Sequence, residues 1–112
     1  MKPVLFIVSL AFLAAVSLSA GPANQTFTGV ITDSMCAKAD HSQMQMGPTD
    51  AECTAACVSV HGADYVLYDG KNTYTLSNQK TPGKFAGQKV RVIGALDAKT
   101  RKIQVESITA AK

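Results

Sequence analysis

The chain is 112 residues long, 46% hydrophobic and 17% charged, and its 11 Lys and Arg against 8 Asp and Glu leave a net charge of +3. A chain of this length folds as one domain with a small core, in the size range where a disulfide or a metal ion often supplements packing. So slight a charge excess gives no reason to expect a nucleic-acid partner.

Residues 1–20 read as an export signal. Lys2 gives a short positive start, and Val4 to Val16 form an apolar run of about thirteen residues, too short for a span of ~20 and right for the hydrophobic part of a signal. Ser17 and Ser19 suit cleavage after Ser19, and Gly21 and Ala23 suit cleavage after Ala23, which places the cut between residues 19 and 23. No cysteine follows closely enough to take a lipid, so the expected product is exported, periplasmic or extracellular, and free of the membrane. Residues 24–112 then form the single domain.

Within it, Phe27 and Ile31 alternate with threonines across Thr26 to Thr32, a strand pattern in which Gly29 marks a close approach or a bulge. Thr49 and Glu52 make a capping box after Pro48, and Gly62 stands where a left-handed cap would sit, which predicts a helix over Asp50 to His61. Tyr65 to Tyr68 and Thr73 to Leu76 read as a hairpin around Asp69-Gly70. Thr81-Pro82-Gly83 marks a loop, followed by a single helical turn over Lys84 to Gly87. Val90, Val92 and Leu96 alternate with Arg91 and Ile93 in a fourth strand, Asp97 to Arg101 connects, and Ile103 and Val105 alternate with Gln104 and Glu106 in a fifth. Five short strands in so small a chain must curl to bury one face. The expected fold is mainly β, a small five-stranded OB-like barrel with one helix inserted between the first and second strands, the insertion running from 33 to 62.

All three cysteines, both histidines and three of the four methionines fall between Met35 and His61. From Asn24 to Gly70, Asp33, Asp40, Asp50, Glu52, Asp64 and Asp69 face Lys38 alone, whereas from Lys71 onward nine basic residues face Asp97 and Glu106. The field around the cysteines therefore favours an approaching cation. The later lysines read as solubility and edge protection on strand surfaces, with an anionic partner as the alternative.

On the predicted helix Cys53, Ala56, Cys57 and Val60 recur at helical spacing and are expected on the buried stripe, with Glu52, Thr54 and Ser59 pointing elsewhere. Buried cysteine needs no chemistry in itself, because it packs as a small hydrophobe. His61, one turn past Cys57, lies along nearly the same face, and it also suits a helix C-terminus as a cation facing the dipole.

Two fates fit these residues. One is a disulfide from Cys36 to Cys53 or Cys57, closing a loop of roughly twenty residues and adding about 3 kcal/mol, as the staple of a structural or ligand-binding β domain without metal. The other is a metal site with Cys36, His41, Cys53, Cys57 and His61 as ligands and Met44 and Met46 as additional ones. Thiolate, thioether and imidazole together suit Cu(I) first and Zn(II) second. An odd thiol beside two histidines, which a staple does not use, favours the metal reading, and a metal ion is the expected partner. Thiol redox catalysis has little support, since the spacing is C-x-x-x-C in a β surround, and Val58 after Cys57 rules out the C-x-x-C-H haem run. There is no phosphate-binding glycine loop and no recognisable nucleophile pattern, so no enzyme is expected.

The run Gly29-Val30-Ile31-Thr32-Asp33-Ser34-Met35-Cys36, then His41, Cys53, Cys57-Val58, Gly62-Ala63-Asp64-Tyr65-Val66-Leu67 and Asp69-Gly70, resembles a family of small exported bacterial proteins of unknown function. That family shares the order T-D-S-x-C, H, C-x-x-x-C-V and Y-V-L. The closing segment, Phe85 to Val90 and Gly94 through Asp97 to Ile103 and Ile108, is similar to the last two strands of small OB-like barrels. The resemblance covers nearly the whole mature chain and implies an exported domain with a cysteine and histidine insertion, but no activity. It departs from an OB barrel in one respect: the helix lies between the first and second strands, not between the third and fourth.

Overall fold

A computed structural model describes residues 22–42 and 47–111. The export signal expected over residues 1–20, and the methionines Met44 and Met46, lie outside the described residues. The elements are β1 (Asn24–Asp33), α1 (Asp50–His61), β2 (Tyr65–Tyr68), β3 (Thr73–Leu76), a 3₁₀ helix (Thr81–Phe85), β4 (Lys89–Asp97) and β5 (Lys102–Ala110).

The five strands form one closed barrel in the order β1-β2-β3-β5-β4. β1 makes this closure feasible by serving two neighbours in turn. Its first half, Asn24 to Val30, pairs antiparallel with Ala95 to Lys89, and its second half, Val30 to Asp33, pairs with Tyr68 to Tyr65. The handover falls beside Gly29, where an added Cβ would stand 2.3 Å from the Tyr68 carbonyl oxygen. Only a residue without a side chain allows the strands so close. β2 and β3 form the expected hairpin, β4 and β5 pair antiparallel, and a short parallel pairing of Thr75-Leu76 with Lys102-Ile103 shuts the ring. The register irregularity lies in β4 between Ile93 and Gly94, so of the two expectations for Gly29 the close approach holds.

Alternation fills the barrel. In β4 Val90 and Val92 are buried while Lys89, Arg91 and Ile93 face out. They join Ile31, Tyr65, Leu67, Leu76, Ala86 and Ile103 in one core, with Phe27, Tyr74, Phe85, Leu96, Val105 and Ile108 packed around it. Burying side chains of this kind contributes roughly 1.5–3 kcal/mol each relative to exposure. The helical turn expected at Lys84 to Gly87 lies earlier, over Thr81–Phe85. Pro82 fixes its first turn because a proline there gives up a backbone donor that has no helical acceptor.

At the end of β1 the two-residue period is lost: Ile31, Thr32 and Asp33 are all buried. The insertion is the cause. α1 packs against β1, Val58 reaches the barrel core, and Gly87 sits so close to Ala51 that an added Cβ would lie 2.8 Å from its backbone nitrogen. The helix therefore covers the edge where β1 ends. Among the described residues no helix is long and apolar enough to cross a membrane.

The expected boundaries of α1 hold, with Thr49 accepting the Glu52 N–H and Gly62 at φ 68° as the left-handed cap. Its buried face differs from the expected stripe. Cys53, Thr54 and Cys57 are buried, while Val60 is 67% exposed. The packed face runs through Cys53, Thr54, Cys57 and Val58, and Val60 falls outside it, on the solvent side.

Candidate metal centre

The site begins with the last residue of β1. Asp33 is fully buried, and its Oδ1 accepts the backbone N–H groups of Met35 at 3.1 Å and Cys36 at 3.0 Å. This turn around an aspartate side chain satisfies two donors that leave the strand without sheet partners. It folds the chain back so that Cys36 stands over the strand end. The turn is fixed further by the Thr32 hydroxyl donating to the Cys36 carbonyl at 2.9 Å, by the Ser34 N–H donating to Asp64 O, and by the Thr73 hydroxyl donating to Ala37 O.

The other carboxylate oxygen, Oδ2, lies 3.1 Å from His41 Nε2. His41 is 6% exposed and is gripped from both sides, because its Nδ1 lies 3.2 Å from Oδ1 of Asp50 in the first turn of α1. The buried Thr54 hydroxyl stands 3.4 Å from Nε2. Ligand atoms of Asp33, Cys36 and His41 all lie within 4.8 Å of one another. Two donors on one tetrahedral zinc, each about 2.0–2.1 Å from the ion, stand roughly 3.3 Å apart, so the Asp33–His41 separation is close to that of one edge of such a site.

Two further thiols adjoin this group. Cys57 is fully buried and Cys53 nearly so. Burial pushes the Cys57 thiol above its ordinary value, and the Asp33 carboxylate, Cys36, a hydrogen bond to Asp33 and Cys53 raise it further. Cys36 is raised first by burial, then by Asp33, Cys53 and Asp40. Cys36 and Cys57 thus share one electrostatic environment that includes Asp33, and Cys53 lies close enough to act on both. All three cysteines are free thiols, so the disulfide expected from Cys36 to Cys53 or Cys57 is not formed. The Cys53 thiol donates to Gly47 O at 3.0 Å.

Of the residues expected as ligands, Cys36 and His41 stand together, with Cys57 and Cys53 beside them. His61 does not join them: it is the exposed last residue of α1, one turn beyond the part of the helix that faces the site, and it retains its place at the negative end of the helix dipole. Asp33 and Asp50 were missed as site residues. Both stood in the acidic count, and Asp33 precedes Cys36 by three positions, a spacing that an aspartate-capped turn would bring together. An open cavity of about 290 Å³ bounded by Asp40, His41, Thr49, Asp50 and Cys53 leads to this cluster.

No protein-family model, curated protein or solved structure matches this chain.

Proposed function

We propose that the protein is an exported metal-binding or metal-buffering module without catalytic activity, and that its ion is held by Asp33, Cys36 and His41 with a fourth donor from Cys57. The supporting observation is the convergence of a carboxylate, a thiol and an imidazole within 4.8 Å at a buried strand end. A carboxylate and an imidazole beside sulfur are donors that Zn(II) accepts readily, whereas Cu(I) selects soft sulfur. The donor set therefore puts Zn(II) ahead of the Cu(I) expected from the thiols and methionines. Cu(I) is the second reading, favoured by the proximity of three thiols, and would use Cys36, Cys53 and Cys57 without Asp33.

The two readings separate under substitution. Titration of the reduced, metal-free protein is expected to take up one equivalent of Zn(II), and to release protons as the raised thiols ionise to coordinate. Affinity should rise with pH across the thiol range. Asp33→Asn and His41→Ala should each weaken Zn(II) binding by at least tenfold and leave Cu(I) binding little changed. Uptake of neither ion, with a disulfide forming spontaneously in its place, would return the protein to a stapled β domain.

A further inference from the structure

Asp50 is 69% exposed at its side chain, opens α1, and is not placed to be a ligand of the Asp33–Cys36–His41 group. Its Oδ1 nevertheless meets His41 Nδ1 at 3.2 Å, on the opposite side of the ring from Asp33. A neutral imidazole carries one N–H, and the partner at one nitrogen decides which nitrogen is left with a lone pair. Without metal a carboxylate faces each ring nitrogen, Asp33 at Nε2 and Asp50 at Nδ1; when Nε2 and Asp33 take the ion the Nε2 proton is displaced, and Asp50 holds the remaining proton on Nδ1. Metal-bound histidines generally have such a partner on the far nitrogen.

We infer that Asp50 is the positioning residue of the metal centre: it fixes the tautomer and ring orientation of His41 so that Nε2 points at the ion, and so couples the start of α1 to metal affinity. This rests on the metal-binding reading above. The local sequence makes the role feasible. Thr49 Oγ1 accepts the Glu52 N–H and the Thr49 hydroxyl donates to the Glu52 carboxylate, so the helix start does not need Asp50 as its cap and the Asp50 carboxylate is available to His41. Glu52 supplies a built-in control, being a second carboxylate in the same turn with no hydrogen bond to the histidine ring.

The experiment compares Asp50→Ala, Asp50→Asn and Glu52→Ala in the full domain, with Zn(II) affinity measured against a competing chelator and the His41 ring nitrogens followed by ¹⁵N NMR. Asp50→Ala is expected to weaken Zn(II) by about 10–100-fold, the usual effect of removing such a partner. Asp50→Asn keeps an acceptor oxygen and should recover part of the loss. Glu52→Ala should change affinity far less, although it removes equal charge and damages the cap. The ring spectrum should show Nδ1 protonated and Nε2 metal-bound in the zinc-loaded unaltered protein, and in metal-free Asp50→Ala the Nδ1 proton should be lost in favour of Nε2, where Asp33 remains as the ring's carboxylate partner.

Equal losses in Asp50→Ala and Glu52→Ala would reduce the effect to charge or helix stability and overturn the inference while leaving the metal site standing. If the unaltered protein binds no Zn(II), the functional reading fails separately, and the metal-free ring spectra still decide: no change at His41 on Asp50→Ala overturns the positioning role.

Discussion

At Asp33 one carboxylate divides its oxygens between two tasks. Oδ1 holds the turn that carries Cys36, and Oδ2 faces His41. Its negative charge also helps hold protons on Cys36 and Cys57, after burial itself. Asp33→Asn keeps an acceptor for the turn and removes the charge, so both thiols should ionise at lower pH in the metal-free variant. Thiol alkylation rate against pH reads this directly, and an unshifted midpoint would show that burial alone sets the thiols. The same shifts predict how stability varies with pH. Because both folded-state values lie above the ordinary 9.0, their contribution is fully present below that pH and is lost as the pH rises through the raised values. The metal-free domain should therefore weaken in alkali, and the proposed Zn(II), by holding the thiolates, would oppose that loss.

The elements contribute placement. β1 must change partners at Gly29 to bring Asp33 to the covered edge, and the approach of Tyr68 leaves no room for a side chain. Gly29→Ala should cost about 1–3 kcal/mol through forced backbone displacement, measured by urea unfolding. A loss of under ~0.5 kcal/mol would mean that the strands separate easily there. α1 is fixed at both ends, by Thr49 and by Gly62, and its first two turns supply Asp50, Cys53, Thr54 and Cys57 to one side. In the last turn Val58 packs on the barrel core while Val60 is exposed.

At the scale of the whole molecule, the proposed ion would tie together the end of β1, the turn after it, the following loop and α1. Those segments follow one another between residues 33 and 61 and meet at the buried Asp33–His41 pair, so binding energy there is folding energy. At free Zn(II) of 100 times the dissociation constant the domain should gain ~2.7 kcal/mol, a rise in Tm on the order of 10 °C for a domain this small. Calorimetry of reduced protein with and without Zn(II) measures it, and Cys36→Ser should abolish most of the difference. An equal rise in Cys36→Ser would place the zinc elsewhere.

Local signals in the sequence determined the barrel and its helix. Alternation marked the strands, the Asp-Gly pair marked the hairpin, and the Thr49 box with Gly62 bounded α1 to the residue, because each of these depends on neighbours a few positions away. The clustering of Cys36, His41, Cys53 and Cys57 in one insertion was equally visible. Which of them meet was decided by tertiary structure. Helical spacing marks a stripe but not which side of it is covered, so it could not tell that the packed face shifts to Thr54, Cys57 and Val58 and leaves Val60 and His61 outside. Among the six acidic residues between Asn24 and Gly70, spacing to Cys36 could point to Asp33, but nothing local singles out Asp50. A carboxylate on a strand end and another on a helix start become partners of one imidazole only when the barrel closes and the insertion folds back across it.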